Sequence, residues 1–206
     1  MGTMTEAWTA SATSKHVRST PRGHASRERR HMTALPNGAA RTVATDDGQI
    51  DGRRFRDVLG RFATGVVAIT GIAPDTGTPT GLAANSFTSV SLDPPLVAFC
   101  VAHTSSTWPR LRPADRLCVN ILSEPQLDVC RKLAAKGGDK FADLDWTTSP
   151  GGAPVLKDAL AWIECTVEDE HLAGDHLIVV SRVHHLDTHN DGPPLLFYQG
   201  TYGRFA

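Results

Sequence analysis

From residue 51 onward the hydrophobic positions fall into short runs with two different periods. Phe55, Val58, Leu59 and Phe62 recur at i, i+3, i+4 and i+7, the spacing that gathers side chains on one face of a helix. Asp51 stands where an N-cap carboxylate accepts the free amide protons of the first turn, and Gly65 marks the end. The pattern predicts a helix between them, with Phe55 as the first core-facing residue.

The remaining apolar runs have strand length. Val66–Ile72 is rich in β-branched residues and is followed by the turn sequence Pro74-Asp75-Thr76-Gly77. A second strand is expected over Thr80–Val90, broken by Asp93-Pro94-Pro95 before a third at Leu96–Val101. Leu117–Leu122 is a fourth. Leu127, Cys130, Arg131 and Ala134 fit a short helix that runs into a polar Gly-Gly loop. Ala161–Glu168 and Ile178–Leu186 alternate apolar with polar residues around the hairpin signal Ala173-Gly174-Asp175, and Leu195–Tyr198 closes the series. Six or seven short strands with two or three helices predict an antiparallel barrel and oppose a Rossmann sheet.

Residues 1–49 carry no such period. They are rich in Ser, Thr, Arg, Gly and Ala and bury too little apolar surface to offset their ordering entropy, so a disordered extension is expected. The folded domain is then 50–206. Met32 is a candidate alternative start. An organelle transit peptide is opposed by Pro21, Pro36 and four acidic residues.

Charge adds one asymmetry. The net charge is −1 over 206 residues, of which 40% are hydrophobic and 21% charged. The first fifty carry seven basic and four acidic residues, the rest fourteen and eighteen. Nothing there calls for nucleic acid. No apolar run approaches the roughly 18 residues of a membrane span, and no secretory apolar region opens the chain. The four cysteines form no CxxC pair. A cytoplasmic setting with reduced thiols is expected.

Chemistry is narrowed first by exclusion. GxGxxG, GxxxxGK[ST] and GxSxG are all missing. His184 and His185 are adjacent on a strand and point to opposite faces, so with His189 they read as surface residues and no metal site is expected. The positive signal is Gly81-Leu82-Ala83-Ala84-Asn85-Ser86-Phe87-Thr88-Ser89. It is either a half-exposed edge strand or a strip where Gly81, Ala83 and Ala84 leave backbone bare for a flat ligand, with Asn85 and Ser86 offering donors and acceptors.

Phe55–Thr70, GLAANSFTSVSLDPPLVAFC, SSTWPRL, CVNIL, DKFADLDW, GDH and LLFYQGTYG follow one another in the order of the flavin reductase family. Over residues 53–203 the chain resembles the short-chain reductase component of two-component flavin-dependent aromatic monooxygenases. That resemblance implies a mainly β fold, an antiparallel FMN-binding split β-barrel with a few short helices and Greek-key-like connections. It also implies the activity: NAD(P)H reduces FMN or FAD, and the reduced flavin passes to a separate monooxygenase.

The resemblance implies site residues as well. Ala84, Asn85 and Ser86 would lie along the isoalloxazine with Phe99, Cys100 and Val101. The Thr104-Ser105-Ser106-Thr107 loop would meet the ribityl and phosphate groups. Arg131 and Lys132 correspond to further flavin contacts, and Lys140 to a phosphate neighbour. A larger or basic residue often stands in the family where this chain has Ser106. Pro79, Thr80, Gly81, Leu82 and Ala83 fall on the nicotinamide side together with His176 of the GDH turn, the candidate catalytic residue. Cys100 reads as a small buried neighbour of the ring, and Trp108, Trp146 and Trp162 as core or interface. A homodimer completing the flavin site belongs to the same expectation. Two other readings stay open: a pyridoxamine-phosphate-oxidase-like flavin oxidase, and a non-catalytic flavin- or haem-binding barrel.

Overall fold

The β-branched run that follows the first helix becomes a buried inner strand of a barrel. A computed structural model describes residues 50–204, and the expected disordered extension lies outside them. The described chain forms α1 (Gly52–Leu59), β1 (Thr64–Gly65), β2 (Val67–Ala73), β3 (Thr78–Ala84), β4 (Thr88–Leu92), β5 (Pro95–Ala102) and α2 (Trp108–Leu111). There follow β6 (Leu117–Ile121), a 3-10 turn at Glu124–Gln126, α3 (Leu127–Ala134), β7 (Trp146–Thr148), β8 (Pro154–Leu156), β9 (Ala161–Ala173), β10 (His176–Thr188), β11 (Leu195–Tyr198) and β12 (Thr201–Arg204).

Seven strands form one antiparallel sheet in the order β3-β2-β6-β9-β10-β5-β4. Its two outermost strands, β3 and β4, are consecutive in the chain, so the Asn85-Ser86-Phe87 corner carries the backbone from one sheet edge to the other. β1, β11 and β12 make a second small sheet and β7 and β8 a third. Inside, Val67, Ile69, Phe99, Val101, Leu117, Val119 and Val179 form the main core. Phe99 meets Trp108 edge to face with ring centroids 5.7 Å apart. A second cluster joins Cys130 and Leu133 of α3 to Val66, Ala68 and Leu195.

Buried polar groups tie the layers together. Asn120 is wholly buried; its Nδ2 donates to Thr70 Oγ1 at 3.0 Å and its Oδ1 accepts from Leu156 N at 2.8 Å. Glu164 is also fully buried, and accepts hydrogen bonds from Ser149 Oγ and, at 2.6 Å, from Gly151 N. These contacts fasten β8 and the loop before it to the sheet.

Several sequence expectations are corrected. Asp51 caps α1 as expected, its carboxylate accepting from Arg53 N and Arg54 N at 3.2 Å, but the helix ends at Leu59, before Phe62 and Gly65. The apolar face of α1 is not core-facing in the single chain: Phe55, Val58, Leu59 and Phe62 are 52–78% exposed, and Val66 is the first buried residue. The expected strand Thr80–Val90 is two strands, because the polar corner at Asn85-Ser86 leaves one sheet edge for the other. β1, β7, β8 and β12 were not foreseen, since two- to four-residue strands are too short to show a period. The four described cysteines are free. Burial pushes the thiols of Cys118 and Cys165 up, the latter to about 12, which makes them inert core residues.

Candidate active site

A groove of about 360 Å3 opens where the ends of β3 and β5, the loop after β5, the C-terminus of α3 and the start of β10 meet. Its floor is made of small residues. Ala83, Ala84 and Asn85 come from the end of β3 and the corner, Cys100 and Ala102 from β5. Small side chains there keep the groove open.

Ser86 fixes the floor. Its hydroxyl accepts from Cys100 N at 2.9 Å and donates to Cys100 O at 3.3 Å, so the corner is held on β5 as if by one more ladder pair. Asn85 Nδ2 donates to Thr64 Oγ1 at 3.3 Å. One wall is polar: Thr104, Ser105, Ser106 and Thr107 all line the groove. Ser105 Oγ accepts from Trp108 N, the first amide of α2, at 3.2 Å, and this bond holds the loop's shape.

Lys136 and Lys140 bring positive charge to the groove. Lys140 Nζ donates to Thr107 Oγ1 at 2.8 Å and to Leu133 O at 2.7 Å, and burial lowers its pKa from the ordinary lysine value. Neither lysine has an ion-pair partner among the described residues.

His176 stands across from Ala102 in the β5–β10 pairing, directly after the turn in which Gly174 adopts φ +63°. That left-handed conformation costs a side-chain-bearing residue energy and glycine almost none. The His176 ring nitrogen Nδ1 lies 2.7 Å from Asp175 Oδ1. The hydrogen bond and charge of His176 hold the Asp175 carboxyl below its usual range. An anchored Nδ1 leaves Nε2 as the free end of the imidazole.

The groove therefore brings together Leu82, Ala83, Ala84, Asn85, Ser86, Cys100, Val101, Ser105, Ser106, Lys140 and His176 of the sequence-expected set. Others lie elsewhere. Phe99 is fully buried in the core. Arg131 pairs with Asp128 at 3.2 Å, and Lys132 hydrogen-bonds Ala142 O and lies 3.7 Å from Asp143. Pro79 and Thr80 line a different groove. Gly81 is closed off: a Cβ there would come within 2.9 Å of Ile69 O and 3.3 Å of Leu133 Cδ2, so its role is to let β3 pack closely. Cys100 is half-buried, more open than expected.

Sequence reasoning missed Ala102, Leu133, Ala134, Ala135 and Lys136. Leu133 and Ala134 end α3 and Ala135 and Lys136 follow it, so no helical period singles the four out.

A small split barrel whose open groove pairs a flat, small-residue floor with a hydroxyl and lysine rim is the class that fold and site define. The model of the flavin reductase like domain matches residues 59–206, and the chain belongs to that family. It is 46% identical over 157 residues to a flavin reductase of Pseudomonas putida, covering 76% of this chain and 92% of that one. It is 47% identical over 153 residues to the reductase subunit HsaB of a flavin-dependent monooxygenase of Rhodococcus jostii, covering 74% and 77%. Among solved structures, an NADH:FAD oxidoreductase of Streptomyces globisporus in complex with NAD and FAD fragments superposes with a TM-score of 0.70 at 35% identity, covering 76% and 93%.

Proposed function

We propose that this chain is an NAD(P)H:flavin oxidoreductase that reduces FMN or FAD and supplies the reduced flavin to a separate monooxygenase component. The observation that carries the reading is the groove itself: a floor of Ala83, Ala84, Cys100 and Ala102, and at its rim hydroxyls and two lysines without carboxylate partners. That donor set fits a flat heterocycle ending in a phosphate. Bound there, the flavin supplies the chemistry, accepting a hydride from C4 of reduced nicotinamide at its N5.

The protein's part is placement. Ala83 and Ala84 leave room for a ring; Ser86 holds that floor rigid against β5; the loop Thr104–Thr107 and Lys140 receive the polar tail. His176, anchored by Asp175, offers Nε2 to the nicotinamide's amide or ribose and need not transfer a proton. Aligning two reactants in this way removes much of a bimolecular barrier. The reading includes a homodimer, supported by the exposed apolar side of α1, which a second copy would cover. Among the described residues no helix is long and apolar enough to cross a membrane.

The test is steady-state turnover. Dialysed protein should be nearly colourless, and NADH or NADPH should be consumed in air only after FMN or FAD is added. Yellow protein that keeps stoichiometric flavin through dialysis would point to a resident cofactor and against a flavin carrier.

A further inference from the structure

Lys140 borders two grooves. The second, of about 430 Å3, is lined by Thr78, Pro79, Arg110, Phe141 and Trp146 as well as by Lys140, and His176 lines only the first. The position of Lys140 between them is chemically unusual. Its ammonium is part-buried and donates only to neutral oxygens, those of Thr107 and Leu133. The one carboxylate that lines the second groove, Asp139, is engaged by backbone amides, accepting from Phe141 N at 2.9 Å and Ala142 N at 3.1 Å. A partly desolvated cation without a counter-charge favours an anion at that spot.

The rest of the second groove has a definite chemistry. Arg110 is half-exposed; it lies 3.6 Å from Asp75 and donates to Thr76 Oγ1 at 3.3 Å, which leaves several of its five N–H donors free. Half-buried Trp146 packs edge to face with Phe141, ring centroids 6.3 Å apart, and gives the groove an aromatic wall. An ammonium, a guanidinium and an aromatic wall complement a pyrophosphate joined to a purine.

We propose that this second groove takes the adenosine diphosphate half of FAD, the pyrophosphate between Lys140 and Arg110 and the adenine beside Trp146. The inference rests on reading the first groove as the flavin site. FMN ends at the phosphate, beside Lys140, and has nothing to place beyond it. NAD(P)H carries the same adenosine diphosphate, and Pro79 and Thr80 were expected on its side. The shared lysine favours FAD, because the groove continues from the phosphate end of the flavin site, whereas His176 belongs to the first groove alone.

The test titrates FAD and FMN into the full-length protein and into two surface variants, Arg110→Ala and Thr78→Glu, by quenching of flavin fluorescence. The KM for NADH is measured alongside at saturating FMN. Wild type should bind FAD more tightly than FMN. Each variant should weaken FAD roughly tenfold, with FMN affinity and the KM for NADH unchanged. Equal affinities for the two flavins in wild type, with FAD unaffected by either variant, would overturn the proposal. So would a raised KM for NADH with FAD binding intact, which would give the groove to the nicotinamide dinucleotide, or an equal loss of FMN. If wild type binds neither flavin, the reading of the first groove fails and this inference falls with it.

Discussion

The Ser86 hydroxyl both accepts from Cys100 N at 2.9 Å and donates to Cys100 O at 3.3 Å. One side chain thereby closes the corner between β3 and β4 onto β5 and sets the floor of the groove. Ser86→Ala removes this tie. Because Ser86 is exposed, water can reach the freed Cys100 groups and global stability should change by less than about 1 kcal/mol. The unpinned floor should weaken FMN binding roughly fivefold. Denaturant unfolding and flavin titration on the same protein separate the two effects; a large stability loss with unchanged FMN affinity would contradict this role.

Gly81→Ala tests the close packing of β3 at that glycine. Its Cβ would meet Ile69 O at 2.9 Å, Thr70 Cγ2 at 3.1 Å and Leu133 Cδ2 at 3.3 Å. The main-chain oxygen cannot swing aside, so overpacking should cost about 1–3 kcal/mol, read as a lower urea midpoint with unchanged slope. Wild-type stability would show that β3 and α3 can separate freely at this point.

The outline of the barrel was legible in the sequence because buried strands of five or more residues advertise themselves. Val66–Ile72, Leu96–Val101 and Leu117–Leu122 fall within a residue or two of β2, β5 and β6. What escaped was set by tertiary context. The helical period of Phe55, Val58, Leu59 and Phe62 is equally consistent with a core face and with the exposed face the single chain shows. For the candidate site, the motif named residues of the corner, the loop after β5 and His176, which line one groove. It could not tell Gly81, which packs against Ile69 and Leu133, from Ala83, which lines the groove, and on α3 it named Arg131 and Lys132 where the groove is lined by Leu133 and Ala134.

Lys140 gives a pH dependence. Burial lowers its pKa from the ordinary lysine value of 10.5. The protonated ammonium is the form that attracts a phosphate. FMN affinity should therefore be steady while free-protein Lys140 is charged and should weaken as pH rises through its lowered pKa, below the range of an exposed lysine. Riboflavin has no phosphate and should lack this extra alkaline weakening, and Lys140→Met should abolish the difference between the two ligands. Parallel pH profiles for FMN and riboflavin in wild type would take Lys140 away from the phosphate.

His176→Ala should act on the dinucleotide side. Loss of one hydrogen bond made by the free Nε2 should cost about 1–3 kcal/mol in kcat/KM, roughly 5- to 150-fold. Flavin affinity should barely change. Unaltered turnover would reduce His176 to a turn residue, and collapse of flavin binding would put it on the other face of the ring.

The central claim is hydride transfer from reduced nicotinamide to a flavin held by this chain. Rapid mixing without oxygen tests it most directly. The protein with one equivalent of FMN or FAD is combined with NADH, and the visible flavin band and the reduced-nicotinamide band are followed together. Bleaching of flavin in step with loss of NADH, one for one and much faster than in the protein-free mixture, is the predicted result. If both bands decay no faster than without protein, for NADH and NADPH and for either flavin, the chain is not a flavin reductase.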